Sequence, residues 1–400
     1  MTRQSSLCEA IESGRIDGFE LSNSLETLYI DVKPTDVELR NVLSAIAGRC
    51  QREKSFRQDL IDFDVFKPLL KRILSIDLNV IAEIVGTSRD LKLVLNEVGI
   101  VDQLVSDLDS SLPDPSCTLC EAICVVNTAC NDNKLKFIQR PNILERVLEE
   151  LTEKTHSGLL KVVCSIITDD DKEGRIPAPV FARENLVASK NLESVVKMVR
   201  LHDVQEDVDT VFTIVRELSI SQDISKLFAL EEHFLQRAFQ ILTPQQSRKR
   251  WYSICRYLRQ LSFTDEVKPH VLSYLKAQPL ATEAWIETAK SDRVLCSSLF
   301  GVSANISIKS PDACRDLITS YPKLISLAHS VLIDSSAVPS QFVACLQFLR
   351  CLVKFSEGLD ILTQFEPDLE DLRIRIQEKT AVRIIDEITA KLNRDHINDD

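Results

Sequence analysis

Glycine is scarce in this chain, with nine among 400 residues, and tyrosine is scarcer still, with five. So lean a supply of turn glycines and strand aromatics argues against a β-rich protein. Long apolar runs are missing too. None approaches the roughly 20 residues that cross a bilayer, so no membrane-spanning helix is expected. The usual signatures of catalysis and phosphate binding are also absent: no GxGxxG, GxxxxGK[ST], HExxH or GxSxG. The six histidines are scattered, and none pairs locally with a cysteine or serine that could act as a nucleophile. The expectation is a protein that is not an enzyme and carries no cofactor. The first dozen residues include Glu9 and Glu12 and lack the charged-then-apolar form of a secretion signal. A cytoplasmic protein follows as the expectation, with the nucleus as a second compartment.

Surplus positive charge is lacking as well. The net charge of −12 argues against general affinity for nucleic acid or anionic membranes, because both need clustered cations. Twelve cysteines without a secretion signal read as reduced thiols. The densest group is Cys117, Cys120, Cys124 and Cys130. Its three- and four-residue spacing could place thiolates on one helical face, as zinc requires. It has, however, no second CxxC pair, no accompanying histidine and no knuckle glycine. Small buried thiols are the expectation, with no metal.

What the chain does have is a helical apolar pattern that returns about every 40 to 48 residues. Eight comparable anchors are Ile46, Val85, Val126, Ile167, Val215, Leu258, Ser303 and Leu349, separated by 39, 41, 41, 48, 43, 45 and 46 residues. Four residues before them stand Val42, Ile81, Ala122, Val163, Val211, Ile254, Leu299 and Cys345. One residue before them stand Ala45, Ile84, Val125, Ile166, Ile214, Tyr257, Val302 and Phe348. Positions minus four, minus one and zero share one side of a 3.6-residue helix, so each segment is an amphipathic helix. Only Ser303 breaks the anchor column.

Shorter apolar helical patterns follow most anchors: Leu60, Val65, Phe66, Leu69 and Leu70; Leu95, Ile100, Val101, Leu104 and Val105; Ile138, Ile143, Leu144, Val147 and Leu148. Turn formers cluster at 109–116, 152–158 and 334–340 and read as loops between units. Two or three helices in about 42 residues fit armadillo or HEAT repeats; tetratricopeptide and ankyrin units run shorter, at roughly 33–34 residues. The predicted fold is therefore all-α: an armadillo/HEAT-like right-handed superhelical solenoid of about eight repeats. Its expected organisation is capping helices over 1–34, repeats over 35–366, and capping helices with a short acidic tail over 367–400. The last residues, through Asp399 and Asp400, are expected to fray.

In such a stack the helix face opposite the anchors is open to a partner. In the first four units that face carries small or neutral residues, among them Ser44, Ala47, Gly86, Cys124, Asn127, Ser165 and Thr168. The site just after the anchor becomes Arg216, Arg259 and Arg350 in the fifth, sixth and eighth units, and Ala304 in the seventh. Tyr252 and Arg256 share the face of the sixth. With Asn305 these residues are the candidate partner-binding groove. Arginine pairs bidentately with carboxylates and phosphates and stacks on aromatic rings. An acidic or phosphorylated extended protein segment is the expected occupant, with the chain itself a monomer. The competing reading is that these arginines form surface ion pairs with neighbours such as Asp209 and Glu217, worth about 0–1 kcal/mol each.

Two stretches resemble known families. Val302-Ser-Ala-Asn305-Ile306-Ser is similar to the Leu-x-Asn-Leu ending of the third helix of armadillo repeats. Ile166-Ile-Thr-Asp169-Asp170-Asp171, followed by Arg175-Ile176-Pro177, resembles a segment of the armadillo repeat-containing protein 6 family. The likeness extends at low identity over most of the chain and implies an armadillo fold with an interaction role. Where the family continues with Phe-Gly and several histidines, this chain has Ala178, Pro179 and Arg183, so no histidine role carries over. The three adjacent acids are expected to cap a following helix and pair with Lys172 or Arg175, since cation loops alternate their ligands. Import adaptors of this fold carry a Trp-x-x-x-Asn ladder. Here Trp251 is followed by Cys255 and Trp285 by Ala289, which argues against that role. The alternative function is an armadillo-type exchange factor or chaperone for a GTP-binding protein, gripping a switch region or terminal helix in the same groove, which acidic groove residues with a nucleotide-dependent binding preference would support.

Overall fold

The computed structural model describes residues 3–31, 36–53, 55–65, 78–86, 88–171, 177–204, 206–243 and 245–398. Phe66, Leu69, Leu70, Lys172, Arg175, Ile176, Asp399 and Asp400 lie outside them. Every described regular element is a helix. The eight anchors fall on eight of them: α1 (Asp36–Arg52), α2 (Leu78–Val85), α3 (Cys117–Asn127), α4 (Ser157–Ile167), α5 (Val208–Leu218), α6 (Arg248–Leu261), α7 (Arg293–Ser307) and α8 (Pro339–Leu352). All but one of the predicted inward positions are buried. Val125 is intermediate, and Ser303, the polar exception, is as buried as its aliphatic counterparts. Each fully buried aliphatic side chain contributes about 1.5–3 kcal/mol before chain entropy is charged against it, so the columns hold the stack together.

The chain forms two compact units, Met1–Thr210 and Val211–Asp400. In the first, Arg3–Glu12 packs on α1, and α1 to α4 follow side by side. In the second, α6, α7 and α8 pack in sequence, and Lys379–Asn398 packs on α8 as one further rung. The shorter apolar pattern that begins at Leu60 runs outside the described residues, while those that begin at Leu95 and Ile138 each resolve into two helices rather than one: Arg89–Glu97 with Ile100–Ser111, and Asn131–Gln139 with Ile143–Glu153. Asn142, at φ 60° between that pair, supplies the left-handed corner that Asn tolerates better than most residues. Three helices per unit is the armadillo arrangement.

Helix starts follow their capping chemistry. Ser116 accepts a hydrogen bond from the Leu119 backbone N–H, and Ser247 from that of Arg250. Asp292 accepts from both Val294 and Leu295 at the head of α7. His156 caps α4 through Nδ1, 3.1 Å from the Leu159 nitrogen.

Helix ends in the first unit use a device the sequence pattern did not reveal. The buried Lys92 donates to the Thr128 carbonyl at the end of α3, and the buried Lys134 to the Thr168 carbonyl at the end of α4, each at 2.5 Å. A cation at the negative end of a helix dipole is favourable, and here it also satisfies a carbonyl without an intrahelical partner. The acid run after α4 belongs to the same network. Asp170 accepts from Lys134 at 2.5 Å. Asp171, with a side chain only 1% exposed, takes Arg89 Nε at 3.1 Å and the Asn131 backbone N–H at 2.9 Å. Asp171 thus caps the helix that begins at Asn131, 40 residues earlier, rather than a following one. The role is structural, as expected, but the partners come from the two preceding repeats.

Candidate protein-binding surface

The six candidate residues all belong to the second unit and differ in their surroundings. Arg216 is mostly buried and pairs with the adjacent Glu217. Arg350 pairs with Glu387 at 3.0 Å. Asn305 donates from Nδ2 to Ser262 Oγ at 2.9 Å and joins the end of α7 to the end of α6. Tyr252 donates its hydroxyl to Asp292 at 2.6 Å, and that bond raises its pKa first of all, with burial adding to it. Arg256 is exposed and Arg259 half-buried. Among the described residues neither has an acidic partner.

The site after the anchor is not uniformly outward. Ala47, Asn127 and Ala304 are buried there, because each such helix packs on the next stacking helix as well as on the shorter helices beside it in the chain. Arg259 illustrates the geometry. Its Nε would stand 2.7 Å from a Cβ at Gly301 of α7, so the side chain packs against a neighbouring helix whose missing side chain makes the room. Burial without a carboxylate depresses its pKa.

A wider feature of α6 escaped a reading made one position per repeat. Its fourteen residues, RKRWYSICRYLRQL, include Arg248, Lys249, Arg250, Arg256 and Arg259 and no acid. Arg248, Tyr252, Arg256 and Arg259 recur at helical spacing along one side, while Trp251, Ile254, Cys255, Leu258 and Leu261 are buried on the other. Three of these cations crowd the first turn, where the helix dipole disfavours positive charge by about 0.3–1 kcal/mol each. Arg248, like Arg256 and Arg259, has no acidic partner among the described residues. Counting charge within each helix would have found this in the sequence.

The surrounding chemistry is otherwise quiet. All twelve cysteines are free thiols. Burial pushes Cys120 up to about 11 and Cys124 up to about 12, which leaves both protonated and unreactive at neutral pH. Among the described residues no cluster of histidine, cysteine and acidic side chains has a metal-holding arrangement. No described helix is long and apolar enough to cross a membrane.

Comparison with known proteins places the fold. No protein-family model matches the chain, and no curated protein matches it. Among solved structures, an engineered protein is similar over 98% of this chain and 99% of its own, with 12% identity and a TM-score of 0.63. A structure of the cadherin–β-catenin interaction is similar over 94% and 86%, with 11% identity and a TM-score of 0.50. Importin β is similar over 98% of this chain but only 50% of its own, with 12% identity and a TM-score of 0.53. The fold is that of an all-α armadillo/HEAT-type solenoid, the class in which β-catenin and importin β fall.

Proposed function

We propose that this protein is a non-enzymatic interaction scaffold whose second unit binds an acidic segment of another protein on α6. The observation that carries the reading is the set of unpaired arginines, Arg248, Arg256 and Arg259, on a helix without a single acid. Half-buried or dipole-opposed cations cost stability unless an anion completes them, and a carboxylate or phosphate does so with short, charge-assisted bonds. Arg256 and Arg259 provide the forks and Tyr252 a flat neighbouring face. Arg216 and Arg350 already have carboxylate partners and serve as flanking structure. A phosphorylated segment is included in the proposal because phosphate offers the arginines the same charge-assisted bonds as a carboxylate; in a structure of similar fold, a phosphorylation switch controls the interaction between cadherin and β-catenin. Kinship with the armadillo repeat-containing protein 6 family, a monomeric state and a place in the cytoplasm or nucleus complete the proposal. Acidic groove residues would support the exchange-factor alternative, and the cations of α6 favour the acidic-segment reading instead.

The test is fluorescence anisotropy with a labelled (Asp-Glu-Ser)4 peptide. Arg256→Glu/Arg259→Glu should weaken binding by at least about tenfold, one 1.4 kcal/mol step, while Arg216→Glu/Arg350→Glu stays within about threefold of wild type. Equal losses in the two double variants would sink the assignment to α6.

A further inference from the structure

The turns that close successive helices of the second unit carry an apolar row. Five residues after the anchors of α5, α6 and α7 stand Ile220, Phe263 and Ile308, which are 47%, 58% and 42% exposed. The corresponding sites in the first unit are Gln51, Asp90 and Asn131, with Lys172 outside the described residues. Large apolar side chains at one register in three consecutive repeats, and in none of the other unit's described ones, form a coherent surface rather than scattered exposure.

Hydrogen bonds place the three turns side by side. Gln260 donates from Nε2 to the Ser219 carbonyl at 2.9 Å, which sets the end of α6 beside Ile220. Asn305 reaches Ser262 at 2.9 Å and sets the end of α7 beside Phe263. Lys354, at the same register after α8, donates to the Ile308 carbonyl and ends the row with a cation. Between the second and third turns opens a cavity of about 500 Å³, whose lining includes the apolar Leu272, Ile306 and Ala313 and the acids Asp312 and Asp316, the latter paired with Lys276 at 2.7 Å. Its rim is tied by Asp265, which bridges Lys268 at 2.5 Å and Lys309 at 2.8 Å.

Charge and spacing together define what fits. Phe263 follows Arg259 by four residues and Arg256 by seven, so the apolar row begins within one to two helical turns of the unpaired guanidiniums. Adjacent packed helices stand roughly 8–10 Å apart. A polyproline-II chain makes one turn in three residues and rises about 3.1 Å per residue, so every third side chain returns to the same side about 9 Å further on. We propose that the occupant is an acidic extended segment with a large apolar side chain at every third residue, its acids on the α6 arginines and its apolar residues on Ile220, Phe263, Ile308 and the cavity between the last two. The proposal rests on the acidic-segment reading above and adds the apolar register to it.

Three labelled 12-residue peptides test it on the full chain: (Asp-Glu-Phe)4, (Asp-Glu-Ser)4, and an isomer of the first with its four phenylalanines clustered at one end. The spaced phenylalanine peptide should bind at least tenfold tighter than each of the others. Phe263→Ser/Ile308→Ser should bring it down to the serine peptide's affinity and leave the serine peptide unchanged. Both positions are exposed, so an unaltered circular dichroism spectrum is expected for that variant. Equal affinity for all three peptides, still abolished by Arg256→Glu/Arg259→Glu, would remove the apolar register and keep the acidic site. Clustered and spaced isomers that bind alike would overturn the three-residue spacing. No binding of any peptide to wild type would overturn both proposals.

Discussion

Asp171 and His202 carry the most specific consequences at the scale of single residues. Asp171 is a buried carboxylate whose lone pairs are taken by Arg89 and the Asn131 backbone. Asp171→Asn keeps the shape but removes the charge that both donors need. Chemical denaturation should show a loss of about 2 kcal/mol, the scale of a hydrogen bond to a charged group. His202 is buried, with Nε2 accepting from the His156 backbone N–H at 3.0 Å and Nδ1 3.0 Å from the Met198 carbonyl. Both ring nitrogens are therefore committed to the neutral tautomer. Burial lowers its pKa, partly offset by the Met198 bond and Asp207, with His156 lowering it further. The unfolded residue titrates near 6.5. The site's contribution to stability is therefore complete above about pH 6.5 and is lost as pH falls from there toward the folded value. Denaturation midpoints at pH 7.5 and 5.5 should differ more for wild type than for His202→Gln, which can still accept from His156 without gaining a proton. Equal differences would contradict this role.

Helices and their junctions were legible where burial repeats along the chain and illegible where contacts skip repeats. The apolar columns at minus four, minus one and zero mark the eight stacking helices because burial of one face is a local, periodic demand. Even Ser303 could be placed by its column alone. Nothing periodic marks the pairing of Arg89 with Asp171, which lie 82 residues apart and meet only after two repeats have stacked. The lysine caps could have been found by aligning Arg89-Asp-Leu-Lys92 with Asn131-Asp-Asn-Lys134, since both begin the helix that follows a stacking helix. Another junction has no such signature. A Cβ at Gly358 would stand 2.2 Å from the Leu352 carbonyl oxygen, so the start of Ser356–Arg375 lies directly on the end of α8. Backbone cannot swing aside as a side chain can. Gly358→Ala should cost about 1–3 kcal/mol by overpacking, read as a lowered denaturation midpoint. At Gly301 the nearest atoms to such a Cβ belong to the Arg259 side chain, with Nε at 2.7 Å, and a side chain can shift, so Gly301→Ala should lower the midpoint less in the same measurement.

On the scale of the whole molecule, a chain of net charge −12 concentrates five cations and no acid in one fourteen-residue helix. Charge averaged over the chain conceals such a face, and a residue-per-repeat comparison finds only part of it. That comparison picked out Arg256 and Arg259 and also Arg216 and Arg350, whose carboxylate partners become visible only in three dimensions. Zero-length carbodiimide coupling joins lysine ammonium groups to a partner's carboxylates and reads the surface in use. Lys249 is exposed on α6, whereas Lys161 and Lys197 are exposed in the first unit. Coupling of the full chain with native extract, followed by peptide mass spectrometry, should yield cross-links from Lys249 to acidic peptides, lost in Arg256→Glu/Arg259→Glu. Cross-links confined to Lys161 or Lys197, with Lys249 unmodified, would contradict the account.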